Sequence, residues 1–185
     1  DPADPRRMRG ALARARRGRG KTSPNPLVGC VLTRGGRVVG EGWHARFAGP
    51  HAEAAALAAA GYRARGAVAF VTLEPCCHAG KKTPPCAQAL IAAGVRRVVA
   101  AMRAPNPLVA GRGLRLLRRA GLRVSSGLLE DSARALNPGF ISRMTRGRPY
   151  VILKAAASLD GRIETAARES KWISSPAARS LSRRM

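Results

Sequence analysis

The stretch LVGCVLTRGGRVVGEGWH, residues 27–44, sets two β-branched runs on either side of Gly35-Gly36. Glycine at both central positions suits a tight turn that needs positive φ, so a β-hairpin is predicted here. From there the pattern alternates. HAEAAALAAAG, 51–61, reads as a helix by its alanine content and stops at Gly61. GAVAFVTL, 66–73, reads as a buried strand, and PPCAQALIAAG, 84–94, as a helix with Pro at its start and Gly at its end. VRRVVAAM (95–102) is a strand, RGLRLLRRAG (112–121) a helix and LRVSSG (122–127) a short strand. A hairpin followed by alternating helix and strand can bury its apolar faces in one economical way. It forms an α/β layered domain with a mixed sheet flanked by helices.

The flanks add to this frame. Residues 5–17 read as a helix with Pro in its first turn and Met8, Leu12 and Ala15 on one face. GRGKTSPNP, 18–26, is loop, because Gly, Ser, Asn and Pro punctuate it throughout. Residues 130–144 are helical with an interruption at Asn137-Pro138. After the Gly/Pro break, GRPYVILKAAASLDG (147–161) is expected to open a new strand. The expected division is one domain over 1–147 and the beginning of a second over 148–185. Neither end reads as the edge of a domain, so the chain is expected to be part of a longer protein.

Composition narrows the function classes. No apolar run reaches the roughly 18 residues of a membrane span, and the start DPADPRRMRG has no apolar core behind its charges, unlike a secretory signal. Four cysteines in 185 residues, without other signs of a secreted scaffold, favour reduced thiols in a cytoplasmic setting. The net charge is +24, but only five of the 34 basic residues are Lys, an arginine bias that composition alone can produce. With two Trp, two Tyr and three Phe, stacking platforms for nucleic acid are scarce. The expected partner is a small phosphorylated molecule, with neither membrane nor nucleic acid.

The chemistry lies in His51-Ala52-Glu53, Pro75-Cys76 and Cys86. One imidazole and two thiolates make a three-ligand zinc set that leaves a position for water, whose pKa zinc can lower to roughly 7. Glu53, two residues past His51, suits a proton shuttle between water, ring nitrogen and leaving ammonia. The order resembles the signature of zinc-dependent nucleobase deaminases. Thiolates at the start of a helix also gain from its dipole. Cys77 competes with Cys76 for the first thiolate, since neighbouring side chains leaving a strand diverge and cannot both easily bind one ion. Cys30, in a predicted strand, is expected as a small buried hydrophobe. His78 is expected to shape the loop, because a fourth protein ligand would close the metal.

Longer stretches carry a more specific resemblance. SPNPLVGCVL, VVGEGWH, GPHAEAAAL, VTLEPCCHAGKKTPPC, ALIAAGVRRVV, PNPLVAGRG and LKAAASLDGRI with SKWISSPAAR resemble the bifunctional deaminase–reductases of riboflavin biosynthesis. That resemblance implies a three-layer cytidine-deaminase-like domain followed by an incomplete start of a reductase domain. It implies hydrolytic deamination of 2,5-diamino-6-ribosylamino-4(3H)-pyrimidinone 5′-phosphate to the corresponding uracil, with Glu53 catalytic and Zn2+ on His51, Cys76 and Cys86. It also implies substrate contacts from Asn25 and Asn106, and phosphate contacts from His44 and from Lys81 or Lys82. A phosphate monoester wants such cations and donors. Turn-forming Asn beside Pro and a core-packed His are the plainer readings of Asn25, Asn106 and His44.

In the second domain Ala156 and Trp172 would approach NADPH and Ser170 the substrate. Some 38 residues, 148–185, cannot complete a dinucleotide site, so reduction is not expected here. A homo-oligomer is. Two departures from the family pattern stand out. Ala104 occupies the place of an aspartate in the family's Asp-Pro-Asn-Pro, and nine residues separate Cys76 from Cys86 where the family has eight. Other readings are a related deaminase acting on another base or on nucleic acid, and a basic binding protein on a deaminase scaffold.

Overall fold

The computed structural model describes residues 4–77, 85–107, 109–171 and 173–184. They fall into two compact units, Asp1–Tyr150 and Val151–Met185.

The first unit is built on one five-stranded sheet. Its elements in chain order are α1 (Pro5–Arg16), β1 (Gly29–Arg34), β2 (Arg37–Trp43), α2 (Ala52–Ala60), β3 (Val68–Val71) and α3 (Cys86–Ala92), followed by β4 (Arg97–Ala100), α4 (Arg112–Arg119), β5 (Arg123–Ser126), α5 (Glu130–Leu136) and α6 (Pro138–Arg146). The strand order is β2-β1-β3-β4-β5. β1 is antiparallel to both β2 and β3, while β3, β4 and β5 run parallel. Gly35 and Gly36 turn the hairpin with φ of 57° and 76°, the left-handed region that only glycine enters without strain. The sheet is mixed and has helices on both faces, as the sequence pattern predicts.

Period-two alternation feeds two cores. Cys30, Leu32, Ala69, Val71, Val98 and Ala100 point to one face, where α2, α3 and α4 bring Ala56, Leu90, Leu114 and Leu117. Val31, Phe70 and Val99 point to the other, against Met8, Leu12 and Ala15 of α1 and Ala133 and Leu136 of α5. The alanine content of α2 has a packing cause. A Cβ on Gly40 would sit 2.3 Å from the Ala56 carbonyl oxygen, and one on Gly42 would sit 2.4 Å from the Ala52 carbonyl oxygen. Helix α2 therefore rests directly on the backbone of β2, and small residues on both sides set that distance.

The break predicted at Asn137-Pro138 separates α5 from α6, and a specific contact fixes it. The Asn137 side chain accepts from the Leu27 N–H at 2.7 Å and donates to the Leu27 carbonyl at 2.9 Å, which ties the junction to the entry of β1.

The expected strand over 147–161 does not form. Residues 149–158 are irregular, and turns follow. A strand is held by ladder bonds to a neighbour rather than by its own sequence, and here Val151, Leu153 and Leu159 are exposed. Among the described residues of the second unit, the regular element is α7 (Pro176–Arg184). No helix among the described residues is long and apolar enough to cross a membrane.

Candidate active site

The parallel strands β3 and β4 end at the same edge of the sheet, and the loops that leave them meet the N-termini of α2 and α3. Loops at the carboxyl ends of parallel strands are the usual place for ligands. Three side chains converge there. His51 is the N-cap of α2, Cys76 follows β3, and Cys86 opens α3. Their donor atoms, the imidazole nitrogen and two sulfurs, all lie within 4.8 Å of one another. His51 Nδ1 is 3.1 Å from Cys86 Sγ and 3.6 Å from Cys76 Sγ. Tetrahedral ligands at about 2.0–2.3 Å from zinc would stand roughly 3.5–3.8 Å apart, so this donor set matches the ion in kind and in size.

The electrostatics agree. The Cys86 thiol and the His51 ring hold the Cys76 thiol down to about 3, and the same contact with Cys76, together with burial, pushes Cys86 up. A thiol held acidic beside a second thiol and an imidazole is suited to bind a divalent cation as its thiolate. The Cys86 backbone N–H also donates to Cys76 Sγ at 3.4 Å. Cys77 is separate from this cluster. It packs against the core cluster that α2, α3 and α4 share with the sheet, and burial and then the Glu74 carboxylate push its thiol up.

Glu53 sits in the first turn of α2 and is 3% exposed. Burial pushes its carboxyl up, and the Cys86 thiol lies within hydrogen-bonding reach. A carboxyl raised in this way can hold a proton nearer neutral pH than a solvated one. His51, Glu53 and Cys76 line a cavity of about 170 Å³, which Asn25, His44, Ala104 and Asn106 also line. His44 is buried. Its Nδ1 donates to the Pro50 carbonyl at 3.0 Å, and its Nε2 accepts from Asn25 Nδ2 at 3.2 Å. The two residues therefore act as one unit at the wall. The Asn106 carbonyl accepts from Val109 and Ala110, each at 2.9 Å, in the loop between β4 and α4.

Lys81, Lys82 and His78 lie outside the described residues, and so does Trp172. Ala156 and Ser170 are exposed residues of the second unit. Several wall residues are not predicted by the sequence pattern, among them Val109, Phe140 and Glu74. Glu74 does carry a visible signal, since it is the only acidic residue between Glu53 and Glu130. Phe140 carries none, because α6 reaches the cavity through tertiary packing alone.

Comparison with known proteins agrees with this geometry. The family described as the cytidine and deoxycytidylate deaminase zinc-binding region matches residues 2–102, and the RibD C-terminal domain matches residues 149–185. Riboflavin biosynthesis protein RibD of Escherichia coli (strain K12) is 59% identical over 172 residues, which are 93% of this chain and 47% of that protein. Among solved structures, Acinetobacter baumannii RibD superposes with a TM-score of 0.90 at 50% identity, covering 98% of this chain and 51% of that one. The diaminohydroxyphosphoribosylaminopyrimidine deaminase/5-amino-6-(5-phosphoribosylamino)uracil reductase of Thermotoga maritima does so with a TM-score of 0.89 at 41% identity, covering 96% of this chain and 51% of that one. The chain spans about half the length of the curated relatives it matches. With His51, Cys76 and Cys86 all inside the matched region, the chain belongs to the cytidine and deoxycytidylate deaminase family defined by that zinc-binding region, and is of the RibD type.

Proposed function

We propose that residues 1–147 form a zinc-dependent deaminase of riboflavin biosynthesis. Its substrate is 2,5-diamino-6-ribosylamino-4(3H)-pyrimidinone 5′-phosphate, and it releases the ring amine as ammonia. The observation that carries the reading is the cluster of His51 Nδ1 with the Cys76 and Cys86 sulfurs, next to the buried carboxyl of Glu53. His51, Cys76 and Cys86 would hold zinc, which when bound would supply a water of lowered pKa. Glu53 would move the two protons of the attacking water in turn, the first to the ring nitrogen and the second to the amine that leaves as ammonia, while the water's oxygen becomes the ring carbonyl. Asn25, oriented by His44, and Asn106 from the opposite loop hold the base and sugar. Lys81 or Lys82 meets the phosphate, and His44 joins them when its Nε2 takes a proton and exchanges Asn25 for a phosphate oxygen.

Residues 148–185 begin a reductase domain, in which Ala156 and Trp172 face NADPH and Ser170 the substrate. The match of residues 149–185 to the RibD C-terminal domain supports this reading. The reading extends to a homo-oligomer in the cytoplasm. Thiol ligands need a reducing compartment, the sheet ends on two edge strands, β2 and β5, and sedimentation of the zinc-loaded chain measures self-association.

The test offers the zinc-loaded chain the diaminopyrimidinone phosphate, cytidine and single-stranded DNA in turn. Ammonia release from the first alone is expected. No release from any of the three, with tight and salt-sensitive DNA binding, overturns the reading.

A further inference from the structure

Glu74 is 4% exposed and, with Glu53, is one of two buried acidic residues among those described. Its two carboxylate oxygens take four backbone N–H bonds. Oε2 accepts from Ala104 at 3.0 Å and from Gly111 at 2.8 Å, while Oε1 accepts from Gly113 at 2.9 Å and Leu114 at 3.2 Å. A carboxylate offers about four acceptor positions, so these amides fill it. The contact has two halves. Gly113 and Leu114 lie in the first turn of α4, whose own N-cap, Gly111, has no side chain to serve those donors, so Glu74 caps the helix from another part of the chain. Ala104 and Gly111 are the two ends of the loop that carries Asn106 and Val109, and one oxygen closes that loop at both ends. A third contact fixes Glu74 itself, since its N–H donates to the Met102 carbonyl at 3.0 Å. Gly113 must be glycine for this approach, because a Cβ there would lie 2.1 Å from the Pro75 carbonyl oxygen.

Glu74 is also two residues before Cys76. We infer that Glu74 is a positioning residue: it locks the Ala104–Gly111 loop, the substrate-facing wall with Asn106 and Val109, to the segment that carries the metal ligand Cys76. With its oxygens filled by amides, Glu74 has no acceptor position left for substrate and no part in proton transfer. Its effect is on the distance between the wall and the metal. The inference that this matters for turnover rests on the deaminase reading, whereas the clamp does not.

The experiment compares the zinc-loaded chain with its Glu74→Gln variant. An amide nitrogen in place of one oxygen would face two N–H donors and break half the clamp. The variant is expected to keep its zinc and to lose roughly 10- to 100-fold in kcat/KM, the range found when an outer partner of a site is removed, with most of the loss in KM. Hydrogen exchange is read in parallel. The amides of Ala104, Gly111, Gly113 and Leu114 should be protected in the unaltered chain and should lose protection together in the variant. A lowered Tm with unchanged KM makes Glu74 merely structural and overturns the inference, and so does loss of zinc in step with activity. If the variant does not fold, exchange in the unaltered chain decides: open-loop rates at those four amides overturn the clamp. An unaltered chain that never releases ammonia overturns the deaminase reading, and exchange in the variant still decides the clamp.

Discussion

His51 Nδ1 lies 3.1 Å from the Cys86 sulfur, although 35 positions separate the two residues in the chain. Helix α2 brings one partner and α3 the other, and the turn after β3 sets Cys76 beside both. The register of that turn sets which of two adjacent cysteines faces His51 and Cys86. Cys76→Ser is expected to abolish stoichiometric zinc binding, whereas Cys77→Ser should leave zinc content at one per chain. Metal analysis after dialysis against a weak chelator reads both. Zinc retained in Cys76→Ser and lost in Cys77→Ser would reverse the assignment.

Glu53→Gln tests the proton shuttle. The amide has nearly the same shape and leaves His51, Cys76 and Cys86 untouched, so zinc binding should persist. General acid–base groups contribute about 10²- to 10⁴-fold, and kcat is expected to fall by at least the lower figure. Steady-state ammonia release against metal content measures it, and a fully active variant removes Glu53 from the mechanism.

Much of this frame is legible in the amino-acid sequence. The Gly35-Gly36 turn, the alternation of helix and strand and the break at Asn137-Pro138 are local signals, and local signals survive folding. The pairing of His51 with Cys76 and Cys86 in one cluster is legible too, because residue type and order carry it. The clamp at Glu74 is not. Its partners, Ala104 to Leu114, lie 30 to 40 positions away, and a backbone N–H has no signature in a sequence. The strand expected at 147–161 fails for the complementary reason: its apolar run is real, but a strand also needs a neighbour.

Asn25 and His44 are joined by a 3.2 Å hydrogen bond and should behave as a pair. Asn25→Ala removes the amide and is expected to raise KM by about tenfold, the equivalent of one hydrogen bond at roughly 1.4 kcal/mol. His44→Ala should cost at least as much, since it removes the ring and frees the amide that the ring orients. The double variant should lose less than the product of the two. Strict additivity in that double-mutant cycle would mean that the two residues act independently.

Gly42 bears on stability and on the metal at once. An alanine methyl there would meet the Ala52 carbonyl oxygen and the Ala56 nitrogen, both at 2.4 Å, and the Ala55 methyl at 2.8 Å. The first two are backbone atoms of α2 and cannot rotate away, so the helix itself must lift from β2. Overpacking of this kind costs about 1–3 kcal/mol. The same displacement moves His51 and Glu53, which stand on the end of α2 nearest Gly42. Gly42→Ala should therefore lower Tm and weaken zinc affinity together, while Gly36→Ala, with open space around its Cβ position, should lower Tm through its positive φ alone and leave zinc affinity intact. Thermal unfolding with and without zinc separates the two. Equal loss of affinity in both variants would mean that the seating of α2 on β2 does not set the metal site.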